Sequence, residues 1–516
     1  MTTPETPMPQ PFPPRCCGCS SDGITRRDLL KTGGVALGGL ALTGLAWSSL
    51  RAASESLAPA AVRVPILVKP VLSFDLPQRR PQTSWRSWGG VHTQADADKE
   101  LAHINEELAK VHAGADFPVK FLAASPVRSA ADVAKAIEAE ACDVVLHYAA
   151  GGGQAVLDAV VKSGKNVVFF LRHRSGPVSL WYEIISPRYL RQHTDFLGVK
   201  TVDHGDVVVD SLDELAWRLR SLCGLKNAVG TKIVAIGGPA GWSTPKAPDL
   251  AREKFKLDIQ TVTYPELGEL IKAARADATA VALAQERAKK YLGDWGVKLE
   301  TEKVYVENAF LLEQVFRGIM AKAGCRAITV NNCMGTIMPL AQTTACMTLS
   351  LLNDAGFLAF CESDFVVIPS GILITGITGH PMFLNDPTYP HQGVITLAHC
   401  TAPRKMDGKS LEAVRLVTHF ESDYGAAPKV EMRKGQKVTN IISDFKMEHY
   451  SLLEGEIVDA PFLPICRSQI DVAYKCPDEK VALNMPGFHW MTCYGDYTRE
   501  VAYALKKIPI ASEKLT

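Results

Sequence analysis

Between residues 63 and 322 the chain alternates short, mainly apolar runs with stretches of helical periodicity, and no other feature restricts the fold as much. Residues 64–68, 119–123, 144–149 and 167–171 read as strands buried on both faces. Between the first two, Leu101, Ile104, Leu108 and Val111 recur at helical spacing. Residues 154–163 and 211–222 read as further helices. Such alternation implies a parallel sheet, because each helix carries the chain back to start the next strand in the same direction. Residues 232–236 begin a second set, with helices near 247–256, 265–274 and 278–292. Past residue 323 the pattern changes. Residues 327–330, 357–360, 394–398, 416–420 and 438–442 read as closely spaced strands, and helices thin out after Leu352. The expectation is an α/β protein: two doubly wound parallel-sheet domains, 62–230 and 231–322, then a β-rich C-terminal domain, 323–516.

Charge narrows the function. The chain has 56 Lys and Arg against 55 Asp and Glu, a formal net charge of +1. A dedicated nucleic-acid binder would show a basic excess or stripe. Hydrophobic residues at 47% and charged residues at 22% are ordinary for a chain with a folded core.

The N-terminus reads as an address. A Pro-, Thr- and Ser-rich stretch leads to Thr25-Arg26-Arg27-Asp28-Leu29-Leu30-Lys31, and residues 32–50 carry no charge. Arg51-Ala52-Ala53 and the small residues Ala58-Pro59-Ala60-Ala61 follow. A basic region, an apolar region and small residues near a cleavage point define a secretory signal. The paired arginines resemble the twin-arginine export signal. Residues 1–61 are therefore expected to be a leader, with the twin-arginine translocation machinery as a partner and the periplasm or exterior as destination. The alternative is a membrane anchor facing the periplasm, since the uncharged run is just long enough to span a bilayer.

Cys16, Cys17 and Cys19 lie ahead of the arginines, either as a metal-binding trio or as part of a removed segment. The other ten cysteines fit no zinc template and read as buried thiols, with one or two late bridges left open. Two glycine-rich turns, Gly151-Gly152-Gly153 and Gly237-Gly238-Pro239-Ala240-Gly241, follow strands. Each either cradles a phosphate or simply turns the chain. Arg172-His173-Arg174-Ser175-Gly176 either contacts a polyol or carboxylate ligand or is a salt-bridged loop.

Chemistry-bearing residues gather in the last third. Cys361-Glu362-Ser363-Asp364 follows an apolar strand, Phe383-Leu384-Asn385-Asp386-Pro387 reads as a loop, and a strand runs into His399-Cys400. His489-Trp490 and Gly495-Asp496 come near the end. Two carboxylates and one or two imidazoles form a mixed oxygen and nitrogen set that suits a divalent ion such as Mn²⁺. A set without thiolate argues against a structural zinc. Alternatively, Glu362 and Asp386 pair with arginines such as Arg404, and the histidines are structural.

This region resembles the C-terminal half of the L-fucose isomerase and L-arabinose isomerase superfamily. The resemblance rests on Glu362 after a buried strand, Asp386, the His399-Cys400 pair and His489 ahead of Gly495-Asp496. It implies a fucose isomerase-like fold with Glu362, Asp386 and His489 as metal ligands. His399 would be a fourth ligand or a supporting group, and Asp364 an alternative or supporting carboxylate. The implied activity is aldose–ketose isomerisation of a carbohydrate through an ene-diolate, with Glu362 and Asp386 as the acid/base pair. It also implies a homo-oligomer, trimer or hexamer. Arg172, His173, Arg404 and Trp490 are candidate substrate contacts, and His380, His391 and the His419, Glu421, Asp423 group are weaker ones. Competing readings are a sugar epimerase or other enolising enzyme, and an exported sugar-binding protein without catalysis.

Overall fold

The computed structural model describes residues 47–57, 63–181, 184–185, 187–190, 201–242 and 244–516. Arg26-Arg27, the three early cysteines, residues 32–46 of the uncharged run and the small residues 58–61 lie outside the described residues. No helix among the described residues is long and apolar enough to cross a membrane.

The first sheet has strand order Val119–Phe121, Ile66–Ser73, Val144–Ala149, Asn166–Leu171, Val207–Val209, with Ser125–Val127 also paired to Ile66–Ser73. All its pairings are parallel. Successive residues of each strand face opposite sides, so Val144 and Leu146 join one apolar cluster and Val145 the other. Helices Gln94–Gly114 and Leu212–Ala228 cover the first side, and Ala130–Glu138 and Gly153–Val161 the second. The glycine turn at 151–153 receives an internal anion: the Gly152 amide donates to the Asp75 carboxylate at 3.0 Å.

The second sheet runs Leu358–Cys361, Ala327–Val330, Lys232–Ile236, Asp258–Val262, again all parallel. Leu358–Cys361 and Ala327–Val330 therefore lie beyond residue 323, inside the stretch expected to be a separate β-rich unit. Helix Lys303–Ala323, with the sequence run of a buried crossover, carries the chain into Ala327–Val330. Helix Trp47–Ser56 packs on that crossover helix, within the segment expected to be leader. Leu50 is 2% exposed, and Trp47 Nε1 donates to Asp277 Oδ2 at 2.9 Å. Gly318 permits the approach, because a Cβ there would lie 2.9 Å from the Leu50 carbonyl oxygen.

The C-terminal region contains a closed antiparallel barrel. Lys437–Ile442, Trp490–Tyr494, Phe383–Pro387, Val394–His399, Ser468–Ala473 and His449–Asp459 pair in that order, and the last pairs back onto the first. Ala511–Lys514 adds parallel to His449–Asp459. A three-stranded sheet, Ala427–Val430, Val414–Val417, Val297–Leu299, lies outside the barrel. Residues 383–387, expected as a loop, are a barrel strand. Asn385-Asp386-Pro387 has turn composition, but Asn385 finds its partners across the sheet: its Nδ2 donates to Thr492 Oγ1 at 2.9 Å, and Thr492 donates to Asn440 Oδ1 at 2.7 Å. Helix Ile368–Thr378 sits between the units and packs on Leu212–Ala228.

Candidate metal centre

Four side chains converge where the carboxyl edge of the second sheet meets the barrel. Glu362 follows the parallel strand Leu358–Cys361, and Asp386 lies on Phe383–Pro387. His399 ends Val394–His399, and His489 immediately precedes Trp490–Tyr494. In open α/β sheets, the carboxyl ends of strands are where ligands gather.

His489 is the hub. Its Nε2 lies 3.5 Å from Glu362 Oε2 and 3.3 Å from Asp386 Oδ1. Its Nδ1 lies 2.8 Å from Asp364 Oδ2. His399 Nε2 lies 3.8 Å from Glu362 Oε1, and its Nδ1 meets Thr401 Oγ1 at 3.1 Å. Ligand atoms of Asp386, His399 and His489 all fall within 4.8 Å of one another. The imidazoles are enclosed, at 4% and 0% side-chain exposure, while Glu362 and Asp386 keep 19% and 24%. The histidines thus form the floor and the carboxylates the mouth.

The electrostatics are uneven. Burial alone would raise the Glu362 carboxyl, but hydrogen bonds and charge from His399 and His489 outweigh it and hold it down to about 2. Burial dominates at Asp386 and raises its pKa, helped by the like charges of Glu362 and Asp364. Burial opposes charge on His489, yet Asp386, Asp364 and Glu362 together raise its pKa well above the usual imidazole range.

The donor set fits a divalent cation. Asp386 Oδ2 is buried without a hydrogen-bond partner, and His489 Nε2 is buried with only its contacts to the Glu362 and Asp386 carboxylates, a costly crowding of polar atoms that an ion would relieve. Glu362, Asp386, His399 and His489 would hold it. Asp364, one of the two roles open to it in sequence, binds the far nitrogen of His489, the position from which a carboxylate orients a ligating imidazole. One expectation needs correction. The set is not free of sulfur: Cys361 Sγ lies within 4.8 Å of the ligand atoms of Glu362 and His399.

Backbone strain accompanies the site. Glu362 and Ser363 have φ of 63° and 47°, left-handed values that cost non-glycine residues about 1–2 kcal/mol each. A bridge to the glycine-rich loop holds them. The Ala240 amide donates to Ser363 O at 3.1 Å, and the Phe365 amide donates to Ala240 O at 3.0 Å. That loop ends in Trp242, whose ring stacks on Phe488 at 4.2 Å and meets His489 edge-on at 5.6 Å. Trp242 and Phe488 escaped the sequence reading. The only signal was their position, one directly after the glycine run and the other directly before His489.

The candidate substrate contacts are placed elsewhere. Arg172 is buried, with its guanidinium on Glu100, Glu107 and Ser175, so its charge is already spent. The loop after it closes on Asp210, which accepts from the His173 and Arg174 amides at 2.9 and 2.7 Å. The His173 side chain is exposed on the first unit. Arg404 is fully buried, donates to the Glu412 and Trp295 carbonyls, and lies over the Tyr291 ring rather than beside Glu362 or Asp386. Trp490 points away from His489 into the apolar core, as alternation along a strand requires. His419, by contrast, is close enough for His399 and Glu362 to influence its titration, although burial is the larger cause of its lowered pKa. His391 is exposed on its loop, and His380 packs against Gly408. No family model matches the chain, and neither does any curated protein.

Proposed function

We propose that the protein is a metal-dependent aldose–ketose isomerase of the L-fucose and L-arabinose isomerase type, acting on a carbohydrate. The observation that carries this reading is the convergence of Glu362, Asp386, His399 and His489 from four separate segments, with Asp386 Oδ2 buried and without a hydrogen-bond partner. The parallel α/β units ahead of a barrel, with the site where the two meet, agree with the layout that the resemblance implies. Mn²⁺ suits the oxygen and nitrogen donors.

Isomerisation moves a proton between two adjacent carbons of the sugar and another between their oxygens. Bound beside those oxygens, the ion would stabilise the negative charge that develops on them. Glu362 and Asp386 take and return the carbon-bound proton. Their environments push their pKa values in opposite directions, the separation an acid/base pair needs. His489, locked by Asp364, and His399, held by Thr401, fix the floor. The stacked Trp242 and Phe488 rings offer an apolar face beside it for the carbon skeleton of the sugar.

The test is metal analysis of natively purified protein combined with a screen of aldoses for ketose formation. Stoichiometric divalent metal and turnover are expected. Absence of both sinks the reading, and metal with epimerisation instead moves it to the enolising alternative.

A further inference from the structure

Cys333 and Cys361 form a thiol pair next to the candidate centre, separate from the Cys346, Cys400 and Cys466 group. Their sulfurs are 3.7 Å apart, and both are buried. Cys361 ends one parallel strand opposite Val330, the last residue of its neighbour, and Cys333 follows three residues after Val330. Cys361 directly precedes Glu362, and its sulfur lies within 4.8 Å of the Glu362 and His399 ligand atoms. Cys333 opens the wide turn Cys333–Ile337, a π-type winding of the sort often found at functional sites. Asn332 and Gly335 on that turn are exposed, so Cys333 is the sulfur nearer to solvent. A disulfide needs the sulfurs to close to about 2.05 Å, a short movement from here.

We propose that Cys333 and Cys361 form a reversible disulfide that selects the ion held by the centre. This rests on the metal reading above. As thiols, they leave the Cys361 sulfur available beside Glu362 and His399, and a soft donor favours Zn²⁺ over Mn²⁺. As a disulfide, they withdraw that sulfur, and an oxygen and nitrogen set remains. The oxidant is a small-molecule or protein disulfide. The Cys333 thiolate attacks one of its sulfurs, forming a mixed disulfide and expelling one thiolate. The Cys361 thiolate then attacks Cys333 Sγ, forming the internal bond and expelling the second. Two electrons pass to the oxidant, and the two protons from the cysteines end on the two released thiols.

The experiment uses the full chain, reduced with dithiothreitol or treated with oxidised glutathione, followed by peptide mapping and by titration with Zn²⁺ and with Mn²⁺. A Cys333–Cys361 linked peptide is expected. Zn²⁺ affinity should fall at least about tenfold on oxidation, with Mn²⁺ affinity changed less than about threefold. Cys361→Ser should show the weaker zinc binding in both states, and Cys333→Ser the stronger in both. A bridge that forms only among Cys346, Cys400 and Cys466, or none at all, overturns the proposal. A Cys333–Cys361 bridge that leaves zinc binding unchanged overturns the selector alone. Failure of every form to bind either ion overturns the selector and the centre together.

Discussion

Asp364→Asn tests whether the centre is organised as its geometry indicates. Asp364 uses both oxygens: Oδ1 accepts from the Val366 amide at 3.0 Å, and Oδ2 faces His489 Nδ1 at 2.8 Å. Asparagine has one oxygen, so it can satisfy only one of these, and it carries no charge. Two effects follow. Loss of a carboxylate that orients a ligating imidazole costs about 10- to 100-fold in metal affinity. The second concerns the proton. His489 has a raised pKa, so below that pKa an incoming ion must displace a proton, and affinity drops about tenfold for each pH unit. The hydrogen bond and charge of Asp364 are among the causes of that elevation, so their loss lowers the His489 pKa. Glu362 and Asp386 remain, so part of the elevation persists.

The assay is calorimetric titration with Mn²⁺ from pH 6 to 8.5 in buffers of different ionisation enthalpy, which also counts the protons released. Wild type should show affinity climbing with pH and release of about one proton per ion. In Asp364→Asn the climb should level off at lower pH, and the plateau should lie about 10- to 100-fold below wild type. The two curves therefore converge in acid and separate in base. Equal plateaus and equal slopes would refute both the orienting role of Asp364 and the protonation of His489.

Other substitutions report on separate parts of the molecule. Glu362→Gln should lower kcat by at least about 10³-fold while circular dichroism stays unchanged, and an active variant would remove Glu362 from its role. Trp242→Ala should raise KM for the sugar about tenfold with little change in kcat, a pattern of lost uniform binding that steady-state kinetics would show. His147 is fully buried on the first sheet, and burial lowers its pKa from 6.5 to about 3. Its folded value is depressed, so the stability it contributes is present above pH 6.5 and is lost as pH falls toward 3, at up to about 1.4 kcal/mol per unit. Urea unfolding of His147→Gln between pH 4 and 7 should show a flatter slope than wild type, and matching slopes would count against a neutral buried ring. At Gly224 a Cβ would lie 2.2 Å from Ile377 Cγ1 and 2.8 Å from the Ile377 Cα, so Gly224→Ala should cost about 1–3 kcal/mol and lower Tm.

The parallel sheets were legible in the sequence because a strand buried on both faces is a continuous apolar run. Val144–Ala149, Lys232–Ile236 and Ala327–Val330 carry that pattern with only His147, Lys232 and Thr329 breaking it. Sheet membership was not legible. Ala327–Val330 and Leu358–Cys361 look the same whether they end one unit or begin another, and only pairing with Lys232–Ile236 assigns them. The long helix Lys303–Ala323 was missed because it is buried around most of its girth, which erases the polar face that periodicity detects. Several barrel strands were missed for a related reason. Ser468–Ala473 places polar Ser468 and Gln469 inside the fold, where hydrogen bonds satisfy them, so its pattern is not cleanly apolar.

The centre shows the same division between what one segment encodes and what two segments create. Glu362 and His399 stood out because each ends an apolar strand, where a polar side chain reaches the edge of a sheet, and His489 because it lies shortly before Gly495-Asp496. Trp242 and Cys361 did not, because their significance lies in contacts with other segments. The glycine-rich loop at 237–241 joins both halves. Read alone, it was a candidate for phosphate. In the fold its Ala240 bridges Ser363 and Phe365 and so pins two consecutive left-handed residues, at a strain of about 1–2 kcal/mol each. The direction of the Glu362 side chain is thus set by main-chain hydrogen bonds from the loop after Lys232–Ile236, a strand two positions away in the same sheet. Any change that moves Ala240 must move the Glu362 carboxylate, and Trp242 at the end of the same loop with it.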